Sequence, residues 1–193
     1  MNEHLAHFVR RMDVLVTCDD PQLIATETQH YLRDLLDHPE FLEERFREPN
    51  PDRYQQHVVH VHEQGKYSVV SLVWKPGQQT PIHDHRCWCV VGVLQGRELE
   101  TRYSLHQWDG DTVLVRAQDS YYHPGDVCAL VPPDEDIHKV ANSSADDRQV
   151  TISMHIYGDD IAKAGTSINR IFDHEIVDSV ADGATALSWR ASG

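Results

Sequence analysis

The sequence has little of what secreted, membrane-bound and nucleic-acid-binding proteins need. Its four cysteines include no Cys-x-x-Cys pair, which argues against a disulfide framework or a structural zinc ribbon. No apolar run approaches the length of a membrane-spanning helix, and the N-terminal residues lack the apolar stretch of a secretory signal. Lys and Arg number 17 against 31 Asp and Glu, so the field repels phosphate backbones and anionic lipids. We therefore expect a cytoplasmic protein that binds neither nucleic acid nor membrane; no feature of the sequence indicates its oligomeric state.

Histidine, in contrast, is abundant. The chain has 14 histidines among 193 residues, and clustered histidine is the commonest route to a transition-metal site. A hydrophobic content of 40% and a charged content of 25% are typical of a soluble globular protein. The length suffices for one domain with a sizeable core but not for two enzymatic domains, so we expect a single domain over residues 1–193.

The chain divides by pattern into three segments. Residues 1–50 show apolar residues at helical spacing, Asp20-Pro21 is typical of a helix start, and a short third helix is predicted from Phe41 to Phe46. Residues 54–157 contain short β-rich runs separated by Gly and Pro turns, as in an antiparallel sandwich or barrel. Residues 158–193 are rich in Asp, Ala, Gly and Ser and predict an irregular tail. The fold class is therefore mainly β with a helical N-terminal segment.

A candidate metal site is found at His83-Asp84-His85, within a strand-like run. Alternate side chains of a strand share a face, so both imidazoles can point at one ion. A third histidine, His138, follows the Pro132-Pro133 turn. A His-x-His pair also arises by chance in a chain so rich in histidine, and the spacing alone leaves both readings open.

Two longer motifs surround these histidines and resemble the motifs of the cupin barrels. The first motif has Cys89 where cupins usually have a glutamate, and the second has Glu135 where a glycine is usual. The residues that carry the resemblance are Gly77, His83, His85, Cys89 and Gly96, then Gly125, His138 and Asn142. It implies a small antiparallel jelly-roll barrel whose metal ligands come from separate strands at the mouth of a cavity. Three neutral imidazoles leave the charge of a divalent metal available to anionic ligands, although zinc also binds three histidines.

A further motif, Ser153-x-His155-x-Tyr157, is called the relay below. Its three residues alternate along the last predicted strand, so their side chains share one face. With the three histidines, the stretch from about Tyr54 to Tyr157 resembles bacterial thiol dioxygenases of the cysteine dioxygenase family. The resemblance implies one Fe(II) per chain, held by the histidines, that adds both atoms of O2 to a small thiol and gives a sulfinic acid. It also implies that Tyr157 donates a hydrogen bond in the cavity, that His155 orients Tyr157 and that Ser153 orients His155.

The substrate-binding residues suggested by the resemblance are Gln56 and Arg170. Cysteine-specific members hold the substrate carboxylate with an arginine on an early strand, where this chain has Gln56. That substitution resembles a glutamine-bearing subgroup whose members prefer 3-mercaptopropionate, with L-cysteine as the alternative substrate. The subgroup places an arginine shortly after the relay tyrosine, and Arg170 is the nearest candidate here; a surface arginine is the equally favoured alternative.

Cys89 falls where mammalian-type members carry the cysteine that forms a thioether with the relay tyrosine. Cys89 is an even number of residues from His83 and His85 (the same parity). Strand alternation therefore predicts that it faces the cavity with them, while Trp88 and Val90 face the opposite side. A buried cysteine that only packs is the alternative reading.

Two other functional classes compete with the thiol dioxygenase. One is a zinc- or manganese-dependent cupin that isomerises or hydrolyses a small anion; it leaves the Ser153, His155, Tyr157 motif without a purpose. The other is a non-enzymatic ligand-binding cupin, and no helix-turn-helix supports a role as a DNA-binding sensor.

Overall fold

The computed structural model describes residues 1–108, 110–133, 136–146 and 148–177 and the backbone of 185–186. Two helices begin the chain, α1 (Glu3–Leu15) and α2 (Pro21–Leu36). The predicted start of α2 is confirmed, because the Asp20 side chain accepts hydrogen bonds from two backbone N–H groups of its first turn. The third predicted helix is replaced by 3₁₀ turns at Pro39–Phe41 and Glu44–Phe46. A segment this short forms too few hydrogen bonds to offset the cost of helix nucleation.

Most of the remaining described chain is β structure. The strands are β1 (Gln55–Val61), β2 (Ser68–Trp74), β3 (His83–His85), β4 (Cys89–Gln95), β5 (Glu98–Trp108), β6 (Asp111–Tyr122), β7 (Val127–Leu130), β8 (His138–Asn142), β9 (Thr151–Tyr157), β10 (Ile168–Ile171), β11 (Ile176–Val177) and β12 (Thr185–Ala186). One sheet has the order β1-β2-β9-β4-β7 and the other the order β10-β3-β8-β5-β6-β11, with β12 beside β5. The pairings are antiparallel except that of β11 with β6. The prediction of a mainly β, cupin-type barrel with a helical N-terminal segment is confirmed.

Alternation along the strands of the first sheet separates two cores. Trp88 and Val90 pack with the helices on the outer face, whereas Cys89 and Val91 belong to the cluster inside the barrel with Tyr157. The predicted opposite orientation of Cys89 and its neighbours is thereby confirmed. The helices therefore cover one face of the sheet, and the polar residues of β9 face the interior.

The segment after Gly158, predicted to be irregular, contains regular structure up to residue 177. A short helix, α3 (Ile161–Ala164), is followed by β10, which pairs antiparallel with the histidine-bearing strand β3. These strands are two to four residues long, too short for a sequence pattern, and their formation depends on the sheet edges already present. Residues 178–184 and 187–193 of the predicted tail, like Glu135, lie outside the described residues. None of the described helices combines the length and apolarity needed to cross a bilayer.

Candidate active site

The structure brings the three predicted metal ligands together. His83 and His85 lie on β3 and His138 on β8, where His138 is the direct ladder partner of His83. The ring centroids are 4.7 Å apart for His83 and His138 and 4.9 Å apart for each pair with His85. One ligand atom from each residue lies within 4.8 Å of the others, and all three residues are buried. This is a compact, solvent-shielded set of three nitrogen donors.

The imidazoles of β3 are neutral at neutral pH. Burial, together with the neighbouring His138, lowers the pKa of His83 to about 3, and burial lowers that of His85 well below its usual value. A histidine binds a metal through the lone pair of a neutral ring. Protons therefore do not compete with a metal ion for these two rings near neutral pH.

Hydrogen bonds orient two of the three rings. The Nδ1 of His83 lies 3.0 Å from the Pro81 carbonyl oxygen, and the Nδ1 of His138 lies 2.7 Å from Glu100 Oε1. Because both partners accept, each Nδ1 carries the hydrogen and each Nε2 keeps a lone pair. His85 differs, since its buried Nδ1 has no hydrogen-bond partner in the described structure. The set fits a divalent first-row metal, with three imidazole nitrogens and no carboxylate among the described members of the cluster.

The predicted relay is a continuous hydrogen-bonded chain on β9. The Tyr157 hydroxyl lies 3.0 Å from His155 Nδ1, and His155 Nε2 lies 3.0 Å from Ser153 Oγ. Trp74 Nε1 donates to the same Ser153 oxygen at 3.2 Å. Burial lowers the pKa of His155 to about 3 and raises that of Tyr157. The relay is therefore composed of neutral groups.

Cys89 lies directly opposite Tyr157 in the β4–β9 ladder. The cysteine is fully buried, and its Sγ is 4.0 Å from His155 Nδ1, the nitrogen that also contacts the tyrosine hydroxyl. Burial raises the pKa of the thiol, which keeps it protonated. The two side chains share one face of adjacent strands, as a thioether requires.

A cavity of about 30 Å³ connects the histidines to the relay. It is smaller by roughly tenfold or more than sites for drug-sized ligands. Its described lining residues are Tyr54, Gln56, Leu72, Trp74, Thr80, His83, His85, Cys89, Val91, His138, Val140, His155, Tyr157, Thr166, Ser167 and Ile168. Gln56 is thus at the cavity, and no lysine or arginine is among these described residues.

Arg170 pairs with Asp84, outside the described cavity lining. Its Nε donates to Asp84 Oδ2 at 2.7 Å, and its backbone N–H donates to Asp84 Oδ1 at 2.7 Å. Asp84 lies between His83 and His85 on β3, so its side chain points away from the face that the histidines share. Because β10 pairs with β3, Arg170 meets this outer carboxylate. Arg170 is not among the described residues that line the cavity, and its contact with a substrate stays a prediction.

Sequence reasoning missed two buried acids of β5. Glu100 contacts His138, and Glu98 lies beside the relay serine. Their shared parity on a predicted strand was an available signal. Sequence reasoning also missed Ser167, which interacts with the Tyr157 hydroxyl, because Ser167 lies in a loop without a recognisable sequence pattern.

A second group of potential ligands lies at the surface of the helices. His4, His38 and Glu40 also have ligand atoms within 4.8 Å of one another. The two rings, however, stack face to face at 3.8 Å, and both lie within salt-bridge distance of Glu40. Ring stacking and contacts with Glu40 account for this partly exposed cluster.

The chain is similar to one protein family and to several solved structures. The family model described as cysteine dioxygenase type I matches residues 37–164. Similar solved structures include a cupin superfamily protein from Desulfitobacterium hafniense DCB-2, with 14% identity over 64% of this chain and 88% of the other and a TM-score of 0.43. A Cupin 2 conserved barrel domain protein from Salinispora arenicola CNS-205 has 19% identity over 61% of this chain and 85% of the other, with a TM-score of 0.41. The family match spans well over half of the sequence, and the chain therefore belongs to the cysteine dioxygenase type I family.

Proposed function

We propose that the protein is an iron-dependent thiol dioxygenase that converts a small thiol carboxylate of the 3-mercaptopropionate type to its sulfinic acid. Family membership implies thiol dioxygenase activity. The observation that carries the proposal is that a buried three-histidine cluster and the Tyr157 relay line the same small cavity. The reaction balances as one thiol plus one O2 giving one sulfinic acid, so no further reductant is needed.

The three histidines hold the metal without adding negative charge. A bound ferrous ion would supply open coordination positions and the redox chemistry that lets O2 react with a thiolate sulfur. The imidazole ligands bring no negative charge of their own, so the positive charge of the metal attracts anionic ligands. A substrate that brings a thiolate and a carboxylate matches that charge.

The Tyr157 phenol supplies a hydrogen-bond donor beside the sulfur. A hydrogen bond to His155 fixes the position of the phenol. His155 is held in turn by Ser153, and Ser153 is held by Trp74. Burial raises the pKa of Tyr157, so the phenol keeps its proton for donation. The apolar side chains Leu72 and Val140 line the same cavity and limit the access of water to the reacting atoms.

The cavity chemistry favours a carboxylate held by neutral donors. Gln56 offers an amide N–H, which can hydrogen-bond a carboxylate but supplies no charge. An arginine would bind a carboxylate through two parallel hydrogen bonds, and Arg170 instead binds Asp84. L-cysteine also carries an ammonium group, for which the described lining offers no carboxylate.

L-cysteine is the second candidate substrate, and one observation favours it. Cys89 stands opposite Tyr157, the arrangement that the sequence resemblance associates with the mammalian-type, cysteine-specific members. The two substrates differ only in the ammonium group, so a direct comparison separates them.

The test is oxygen uptake by the iron-loaded protein with 3-mercaptopropionate, L-cysteine and cysteamine, a thiol without a carboxylate. We expect the highest kcat/KM with 3-mercaptopropionate. We also expect Gln56→Ala to lower it by about tenfold, the value of one lost hydrogen bond to a charged group, while cysteamine turnover changes less. Gln55→Ala on the same strand is the matched control. A clear preference for L-cysteine would overturn the substrate assignment, and no uptake with any thiol would overturn the proposed function.

A further inference from the structure

Glu98 is a buried carboxyl group that the proposed mechanism does not use. It lies at the start of β5 with 2% of its surface exposed, and its carboxyl interacts with the Ser153 hydroxyl from the opposite sheet. Its Oε2 is buried and has no hydrogen-bond partner in the described structure. A buried carboxylate with few compensating partners is costly, so burial favours the protonated form of Glu98.

Glu100, two residues along the same strand, shows the opposite environment. It accepts hydrogen bonds from His138 Nδ1 at 2.7 Å, from Arg102 Nε at 3.1 Å and from the Tyr122 hydroxyl at 3.1 Å. Burial alone would raise the pKa of Glu100, but these partners more than offset it and hold the pKa below its usual value. Burial, opposed by Ser153 and reinforced by Glu100, raises the pKa of Glu98 to about 7. One strand therefore presents an ionised acid to the metal ligand and, below pH about 7, a mostly neutral acid to the relay.

The direction of the relay hydrogen bonds depends on whether Glu98 donates to Ser153 or accepts from it, because a serine hydroxyl has one hydrogen and two acceptor sites. Only a protonated Glu98 can donate. When Glu98 donates to Ser153, both acceptor sites are filled, since Trp74 Nε1 occupies the other. The Ser153 hydrogen must then go to His155 Nε2. The His155 hydrogen is consequently on Nδ1 and is donated to the Tyr157 oxygen, which leaves the phenol hydrogen directed at the cavity.

Ionised Glu98 reverses the bonds from Glu98 to Tyr157 and leaves the Trp74 bond to Ser153 unchanged. A carboxylate only accepts, so Ser153 donates to Glu98 and accepts from His155 Nε2–H. His155 Nδ1 then accepts the phenol hydrogen, which turns away from the cavity. The heavy atoms stay within the same 3.0 Å contacts in both states.

We propose that Glu98 is a positioning residue that, as a neutral carboxylic acid, donates to Ser153 and thereby directs the Tyr157 hydrogen into the cavity. The proposal rests on the relay role proposed above and on no particular substrate. The titratable groups around Glu98 in the described structure are Glu100 on β5, Cys89 on β4, Cys128 on β7 and Tyr122, its ladder partner on β6. Burial raises the pKa values of Cys89, Cys128 and Tyr122, so these three are neutral, and Glu100 is ionised near neutral pH.

The direct test is the tautomer of His155, read by nitrogen NMR of histidine-labelled, full-length, metal-free protein. The His155 signals are assigned by their loss in His155→Gln. We expect the Nδ1–H tautomer about one pH unit below the Glu98 pKa of about 7 and the Nε2–H tautomer about two units above it. Glu98→Gln, which keeps a neutral donor, should hold the Nδ1–H tautomer at both values. An unchanged tautomer in the unmodified protein would overturn the proposal.

Infrared difference spectroscopy gives a second readout that needs neither metal nor turnover. The carbonyl band of a protonated carboxylic acid should be present at pH about 6, be lost in Glu98→Gln and persist in Asp119→Asn, an exposed carboxyl-to-amide control on β6. Absence of a band that depends on Glu98 would overturn the proposal.

In the iron-loaded enzyme, kcat should fall about tenfold per pH unit above the Glu98 pKa, and this decline should be absent in Glu98→Gln. A tautomer switch in a protein without dioxygenase activity would support this inference and overturn the proposed function, whereas dioxygenase activity with a fixed tautomer would do the reverse.

Discussion

His138 donates a 2.7 Å hydrogen bond from its Nδ1 to Glu100 Oε1, and both residues are buried. The bond fixes the ring and its tautomer and leaves Nε2 as the donor for a metal. Glu100 is held in turn by Arg102 and Tyr122. The geometry of the candidate metal centre thus depends on β5 as well as on the strands that carry the histidines.

The first prediction concerns metal binding. His138→Ala removes one of three donors, so we expect iron content after reconstitution to fall far below one per chain. Glu100→Gln leaves all three donors, so iron affinity should fall by only about 10- to 100-fold. Metal analysis and chelator competition measure both, and His57→Ala, a histidine bonded to the Glu48 carbonyl outside the cluster, is the control. Full iron occupancy in His138→Ala would show that this residue is not a ligand.

The second prediction separates metal binding from turnover. Tyr157→Phe deletes only the hydroxyl, so iron content should be unchanged while kcat drops by roughly 10- to 1,000-fold, as for the loss of a positioned donor. His155→Gln should cause a smaller decrease, because the phenol stays but loses its orienting partner. Tyr121→Phe, at an exposed tyrosine, serves as the control. Unchanged kinetics in Tyr157→Phe would reduce the relay to a structural element.

The third prediction is a covalent bond between Cys89 and Tyr157, which are ladder partners on one face. Joining sulfur to the phenol ring removes two hydrogens, with O2 as the oxidant during turnover. Peptide mapping of protein incubated with iron, thiol and O2 should find one joined peptide lighter by two hydrogens. It should be absent from Cys89→Ser and retained in Cys18→Ser. Two separate, unmodified peptides after many turnovers would exclude the bond.

The fourth prediction links Glu98 to stability. Its pKa is raised from 4.5 to about 7 in the folded protein, so the unfolded chain releases this proton first and the free energy of unfolding falls as pH rises through that window. The loss approaches about 3 kcal/mol at most. Denaturant unfolding of metal-free protein at pH about 5 and about 8 should show a smaller decrease in Glu98→Gln than in the unmodified protein. Parallel decreases in the two proteins would contradict the prediction.

Local periodicity predicted much of the fold and the relative placement of the candidate site. His83, His85 and Cys89 share a parity that the strands preserve, and Asp20 starts a helix as its side chain dictates. The sequence could not show that β10 pairs with β3, since that contact joins residues far apart in the chain. For this reason the sequence could not decide between the two roles considered for Arg170, whose partner Asp84 is a neighbour only after folding. The same holds for Glu98, whose interaction with Ser153 crosses from one sheet to the other.

The most direct measurement for the central claim uses isotopically labelled O2 with the iron-loaded protein and 3-mercaptopropionate. Mass spectrometry of the product should show a sulfinic acid in which both oxygens on sulfur come from O2, formed one for one with the O2 consumed. The signal should vanish in His138→Ala and in zinc-loaded protein, because zinc has no redox chemistry. A disulfide as the only product, or oxygen on sulfur derived from water, would contradict the assignment of a thiol dioxygenase.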